Sequence, residues 1–148
     1  MNIGMMTTWC HHCGVFGYTE QLVDALKDSG HLVTTFGNYP YGRRTGDVAD
    51  LECFGTGFHE QDDRGLNSFK IFDAVMGSKI NVFHIQYQDY LYPDKENFNN
   101  LLNRLNGSNV HIVVTQHDSC ISPNIDWGKF NIIIRHGPEF KKEGKNVI

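Results

Sequence analysis

A short segment, Cys10-His11-His12-Cys13, combines two thiols and two imidazoles, which are side chains that bind metal ions or exchange electrons. It follows a strand-like apolar run and precedes Gly14, near which a helical pattern begins. Three kinds of chemistry fit these residue types: a zinc site, a dithiol redox pair, or a loop that holds a polar ligand.

The zinc and redox alternatives depend on residues elsewhere in the chain. A structural zinc ion needs two further ligands, but Cys53, His59 and Cys120 are scattered and unpaired, so we expect no metal and no cofactor. A dithiol ahead of a helix resembles the motif of thioredoxin-like proteins, where the helix N-terminus lowers the thiol pKa. That fold also needs a facing proline and an antiparallel hairpin, whereas Pro40 and Pro93 precede loop-like sequence. A thiol oxidoreductase stays an alternative.

The elements that position this segment alternate between strands and helices. Apolar runs predict strands at 2–9, 31–37, 80–87, 110–118 and 130–136, and helical periodicity predicts helices at 15–29, 66–79 and 94–107. A further helix is predicted from Pro138, followed by the start of a last strand, and 38–65 is predicted to be a long variable loop. This order predicts an α/β fold: one Rossmann-like three-layer domain over 1–148, with a mostly parallel sheet and helices on both faces.

Composition narrows the classes of partner. The 148 residues suit one domain, and 40% hydrophobic and 20% charged residues are typical of a globular protein. The net charge of -4 argues against nucleic-acid binding, which needs a basic face. No apolar run approaches the roughly 20 residues that span a bilayer, and the N-terminus lacks signal-peptide features. We therefore expect a cytoplasmic protein without a membrane span.

Polar side chains collect where the predicted strands end. Because parallel sheets bind ligands beyond the carboxyl ends of their strands, these residues predict one binding cleft. Gly14 would also let an anion such as phosphate approach the helix N-terminus, although a glycine that only permits a tight turn fits equally well. The predicted ligand-binding residues are Trp9, His11, His12, Cys13, Gly14, His84, Gln86, His117, Asp118, Arg135 and His136. No catalytic residue is predicted.

The order of these motifs resembles the N-terminal half of GT-B glycosyltransferases, in particular the retaining family 4 that includes sucrose and mannosyl transferases. Its members often read Thr-Trp-x-x-x-Cys-Gly-Ile-Ala-x-Tyr-(Ser/Thr) and then Gly-His-x-Val. The matching residues here are Thr8, Trp9, Cys13, Gly14, Tyr18, Thr19, Leu22, Gly30, His31 and Val33. Downstream, "NVFHIQYQ", "VHIVVTQHD" and "IIIRHGPEFKKEG" are similar to three further family motifs, with Gly137 in place of the usual serine.

The resemblance implies the acceptor-binding half of a two-domain enzyme, without the half that grips the nucleotide-sugar. By position it implies that Cys13, Gly14, His84, Gln86, His117 and Asp118 face the cleft, with His117 nearest the reacting sugar. We expect a domain that binds a sugar, phosphosugar or nucleotide and is not a complete transferase alone. A separate donor-domain partner would complete the enzyme. Alternatively, the domain sequesters or senses its ligand by itself, as a homo-oligomer that closes the cleft.

Overall fold

The computed structural model describes residues 1–9, 13–38, 49–55, 65–118 and 122–136. The strands are β1 (Asn2–Met6), β2 (Leu32–Asn38), β3 (Leu51–Phe54), β4 (Val82–Tyr87), β5 (His111–Gln116) and β6 (Ile132–Arg135). The helices are α1 (Gly14–Asp28), α2 (Ser68–Gly77) and α3 (Lys95–Asn106), with 3₁₀ turns at Asp89–Leu91 and Trp127–Lys129.

The six strands form one sheet in the order β3-β2-β1-β4-β5-β6, and every neighbouring pair is parallel. This is the doubly wound order of Rossmann-like folds, so the predicted fold is confirmed. The strand order reverses between β1 and β4. Ligands bind such sheets beyond the carboxyl ends of the strands at this switch point.

Residue alternation gives the two faces of the sheet different chemistry. On β4, Phe83, Ile85 and Tyr87 point toward the main hydrophobic core, while His84 and Gln86 point to the other face. Side chains of α2 and α3 complete this core: Ile71, Val75, Phe98, Leu101, Leu102 and Leu105. Helix α1 lies over the opposite, more polar face, where Thr19 meets Thr7 at 3.3 Å between hydroxyl oxygens.

Local capping explains where the helices begin and end. Asp94 caps α3, since its Oδ1 accepts a hydrogen bond from the Asn97 N–H at 3.0 Å. Asn67 caps α2 in the same way. Helix α1 ends at Asp28, and the following Gly30 has a φ of 82°, a conformation that glycine adopts without strain. The predicted helix at 15–29 is therefore confirmed to within one residue at each end.

The connection 38–65 is not all loop, because it contains β3. This edge strand has four residues, too few to show a hydrophobic period, and it lies beside β2. Its start is fixed by Asp50, whose carboxylate accepts hydrogen bonds from the Thr35 N–H at 2.7 Å and hydroxyl at 2.8 Å. The predicted helix and strand after Pro138 lie outside the described residues. No helix in the described ranges is long and apolar enough to cross a membrane.

Close packing around β2 yields a stability prediction. A Cβ atom at Gly37 would lie 2.5 Å from the Ala49 Cβ and 2.8 Å from the Trp9 Cβ, closer than real Cβ atoms approach. We expect Gly37→Ala to lower the free energy of unfolding by about 1–3 kcal/mol through overpacking. Gly17→Ala is the matched control, because no atom of the described ranges lies within 4 Å of a Cβ there. Gly17→Ala should leave the free energy of unfolding unchanged or raise it by up to about 1 kcal/mol, because alanine favours the helix. Urea unfolding measures both, and equal values would contradict the packing account.

Candidate functional site

Four polar side chains form a hydrogen-bonded chain on the α1 face of the sheet, which we call the histidine–glutamine chain. Thr115 Oγ1 lies 2.8 Å from His84 Nε2, and Gln86 Nε2 lies 3.3 Å from the same nitrogen. Gln86 Oε1 lies 2.8 Å from His117 Nε2. The first three side chains are buried, whereas His117 is half-buried at the carboxyl end of β5. The chain therefore runs from the sheet interior to its ligand-binding edge.

At that edge, His117 belongs to a group of three rings. Its ring centroid lies 5.4 Å from that of Tyr18 on α1 and 5.4 Å from that of His136 after β6. Tyr18 and His136 are 5.1 Å apart, with their ring planes at 76°. Both of these outer rings are exposed. The group places an apolar ring surface beside the polar end of the histidine–glutamine chain.

Burial keeps the two inner histidines neutral. Desolvation, with a smaller contribution from His117, lowers the pKa of His84 from 6.5 to about 4. Desolvation followed by the charge of His136 lowers the pKa of His117 to about 4 as well. A neutral imidazole has one N–H donor and one nitrogen acceptor. At neutral pH, the edge of the site thus offers hydrogen bonds without positive charge from His117.

The start of α1 lies at the same edge of the sheet. Cys13 caps the helix, because its Sγ accepts from the Phe16 N–H at 3.4 Å and lies 3.4 Å from Thr8 Oγ1. Among the described residues, no atom lies within 4 Å of a Cβ at Gly14, which suits both a ligand approach and a simple turn.

Trp9 packs away from the histidine–glutamine chain. Its ring meets Phe16 edge-on at 5.4 Å, and its Cβ faces Gly37 on β2. Its backbone N–H donates to Asn38 Oδ1 at 2.8 Å. The indole nitrogen is buried and has no hydrogen-bond partner within the described part of the chain. Trp9 therefore borders the cleft on the β2 side, and its role as a ligand contact stays a prediction.

Asp118 supports the loop that follows β4. Its carboxylate accepts the backbone N–H of Asp89, which joins the end of β5 to the 3₁₀ turn at 89–91. Exposed Tyr90 lies in this turn, and burial, Cys13 and Asp118 together raise the pKa of its phenol. The tyrosine thus stays neutral at the rim between α1 and β5.

The remaining predicted residues divide into two groups. His11 and His12, like Cys10, lie outside the described residues. Arg135 is the last residue of β6 and pairs in register with Gln116. Alternation places Arg135 on the α2–α3 face, whereas His136 joins the rings on the α1 face. The structure therefore brings together His84, Gln86, His117 and His136, and does not bring Arg135 beside them.

Two residues of the site were not predicted from the sequence. Thr115 lies two residues before His117, so strand alternation was a usable signal that both face the same side. Tyr18 lies one turn beyond Gly14 on α1, and the family motif that contains it does not mark it as a ligand contact. Its position over His117 depends on how the helix packs, which no local pattern specifies.

The zinc site and the thioredoxin-like redox pair each require a particular structural feature. The described residues contain no group of three or more potential metal ligands. Thioredoxin-like folds contain an antiparallel hairpin, whereas all strand pairs among the described residues are parallel.

Depressions of about 310 and 210 Å³ lie at the opposite, amino-terminal edge of the sheet, near Asn109 and Val110. They are remote from the histidine–glutamine chain.

Comparison with solved structures identifies proteins of similar fold. The chain superposes on MurG of Acinetobacter baumannii with a TM-score of 0.66 and 9% identity, over 99% of this chain and 44% of that chain. An alpha-glucosyltransferase in complex with UDP and a 13-mer DNA containing a central A:G mismatch matches with a TM-score of 0.54 and 18% identity. That match covers 93% of this chain and 37% of the other. An alpha-glucosyltransferase complex with UDP-glucose and DNA containing an abasic site matches with a TM-score of 0.52 and 18% identity. That match covers 91% of this chain and 35% of the other.

These neighbours are glycosyltransferases of the GT-B fold, and this chain spans less than half of each. Identities of this size show the fold and not the family. No protein-family model and no curated protein matches the sequence. The predicted likeness to a GT-B half is confirmed at the level of fold, while membership of family 4 stays a prediction.

The lowered pKa values predict how stability depends on pH. The unfolded chain takes up a proton on His84 near pH 6.5, whereas the folded chain does so near pH 4. The free energy of unfolding should therefore fall as the pH drops from about 6.5 to 4, with His84 contributing a loss of about 2 kcal/mol by pH 5. Because the pKa of His117 is also lowered to about 4, its protonation lowers the free energy of unfolding over the same pH range. Urea unfolding at pH 7.5 and 5.0 measures this loss.

His84→Gln should reduce the pH dependence, and His111→Gln, at the exposed start of β5, should leave it unchanged. An equal stability difference in both variants would contradict the assignment to His84.

Proposed function

We propose that this chain is a polar-ligand-binding domain that holds a sugar-containing molecule at the carboxyl ends of β1, β4 and β5. The observation that carries the proposal is the histidine–glutamine chain, which ends at neutral His117 at that edge. Because His117 is half-buried at an open edge, its other ring nitrogen can bond to water or to a ligand there. The buried members behind it hold that ring in place.

The chemistry of the edge favours a sugar ring. A neutral imidazole matches a hydroxyl group, which is uncharged and both donates and accepts hydrogen bonds. The rings of Tyr18 and His136 beside it offer an apolar surface for the C–H face of a sugar. Together they recognise a molecule that is polar at its rim and apolar on its face.

The fold supports the same class of ligand. The structural neighbours include alpha-glucosyltransferase complexes with UDP and with UDP-glucose. Their chains are more than twice as long as this one. We infer that this domain corresponds to one wall of such a cleft, and that sugar transfer requires a second domain. Binding, and not transfer, is then the activity of these 148 residues alone.

Calorimetric titration with UDP-glucose, UDP and glucose 1-phosphate tests the proposal. We expect at least one of them to bind, and His117→Ala to weaken that binding roughly 10-fold or more, because it removes both a hydrogen bond and a ring contact. The matched control is His111→Ala, which truncates a histidine at the opposite end of the same strand. It should leave the affinity unchanged.

Two outcomes would contradict this function. One is that none of the three probes binds at millimolar concentration, and the other is that both alanine variants weaken binding equally. A 13-mer DNA duplex belongs in the same series, because neighbouring structures contain DNA. With a net charge of -4, we expect no binding of DNA at physiological salt.

A further inference from the structure

The orientation of the Gln86 amide determines the chemistry of the site. Its nitrogen lies 3.4 Å from Met5 Sδ and 3.3 Å from His84 Nε2, while its oxygen lies 2.8 Å from His117 Nε2. A thioether sulfur is an acceptor and never a donor, so the amide nitrogen belongs beside it. The reversed amide would place an oxygen against the sulfur. The carbonyl oxygen of Gln86 therefore faces His117.

This orientation selects the tautomer of His117. A carbonyl oxygen only accepts, so His117 Nε2 must carry the hydrogen that bonds to it. A neutral imidazole has a single N–H, and burial keeps His117 neutral. Its Nδ1 then holds a lone pair, and this nitrogen makes no hydrogen bond to any described residue.

His84 and Thr115, at the inner end of the histidine–glutamine chain, hold the Gln86 amide in this orientation. The Gln86 amide group directs an N–H toward His84 Nε2, so this nitrogen must accept, and Thr115 donates its hydroxyl hydrogen to it at 2.8 Å. The proton of neutral His84 is then on Nδ1. The single lone pair of His84 Nε2 is then shared by two donors, the Thr115 hydroxyl at 2.8 Å and the more distant Gln86 amide nitrogen at 3.3 Å. Each contact from Thr115 to His117 thus joins a donor to an acceptor, and each member orients the next.

We propose that Gln86, held by His84 and Met5, is a positioning residue that keeps His117 as the Nε2–H tautomer, so that Nδ1 accepts a hydrogen bond from a hydroxyl group of the bound molecule. The inference about the ligand rests on the proposed function, whereas the tautomer is a property of the free protein. An acceptor nitrogen selects a donor. A sugar hydroxyl satisfies it, whereas the dianion of a phosphate monoester, which has only acceptor oxygens, does not.

Long-range ¹H–¹⁵N NMR spectra of the ¹⁵N-histidine-labelled protein at pH 7.5 test the tautomer directly. The expected result is a protonated Nε2 and an unprotonated Nδ1 for His117, with the reverse for His84. Assignment uses His117→Ala and His84→Gln. A protonated Nδ1 on His117 in the unsubstituted protein would overturn the proposal, and this measurement requires neither a ligand nor a stable variant at position 86.

Two substitutions at position 86 separate positioning from a merely structural role. Gln86→Leu removes the acceptor, so His117 should become a mixture of tautomers and UDP-glucose should bind roughly 2- to 10-fold more weakly, the value of one neutral hydrogen bond. Gln86→Glu restores an acceptor, and His117 should return to the Nε2–H form. Thr34→Val and Thr115→Val form a matched pair on β2 and β5, of which only the second should shift the His84 signals. An unchanged His117 spectrum in Gln86→Leu would overturn the positioning role.

The ligand class is tested by adding methyl α-glucoside or methyl phosphate, which is mainly a dianion without a donor hydrogen at pH 7.5, to the labelled protein. We expect the glucoside, and not methyl phosphate, to shift the His117 Nδ1 resonance. If methyl phosphate shifts it and the glucoside does not, the hydroxyl assignment is overturned. If UDP-glucose and both probes leave every histidine resonance unchanged, the proposed function fails, while the free-protein spectra still decide the tautomer.

Discussion

The alternation of side chains along β4 and β5 is the constraint on which the structure depends. These strands are central in a parallel sheet, so both of their faces are covered or bordered by other elements. One face carries Phe83, Ile85 and Tyr87 into the main core. The other face carries His84 and Gln86. A shift of register by one residue would exchange these sets, placing the imidazole in the apolar core and the aromatic rings on the more polar α1 face.

Buried polar groups at the centre of a sheet remain compatible with folding because they satisfy one another. Thr7 and Thr19 meet between β1 and α1, and Thr115, His84 and Gln86 connect β4 with β5. A single apolar substitution in such a chain leaves a desolvated donor or acceptor, which costs about 1–3 kcal/mol. The α1 face therefore restricts which residues the sheet tolerates, although it adds less hydrophobic stabilisation than the α2–α3 face.

Much of this architecture follows from local patterns in the sequence. The long apolar runs at β4 and β5 and the Asp94 cap are visible because burial and capping act over a few residues. The strand-end positions of Gln86 and His117 follow once a parallel sheet is assumed, whereas His84, predicted at the same edge, lies in the middle of β4. Strand β3 is not visible, because four residues beside β2 show no period and their pairing is non-local. The position of Tyr18 over His117 depends on the packing of α1. The placement of Arg135 on the far face follows from alternation along β6 once its register with β5 is known.

The separation of the two faces has a consequence for how stability and recognition relate. Hydrophobic burial by α2 and α3 acts on the face that the histidine–glutamine chain does not share. Residues of that core can therefore change stability while the hydrogen bonds at the carboxyl edge keep their geometry. On the α1 face the same groups contribute to both properties, since His84 and Gln86 must be satisfied for folding and must be oriented for His117 to present an acceptor. Replacing all four members of the histidine–glutamine chain by apolar residues of similar shape should leave the domain folded, because paired polar groups contribute little net stability over a well-packed apolar set. The presence of the histidine–glutamine chain, which ends at an open edge, is thus explained by ligand recognition more readily than by the stability of the fold.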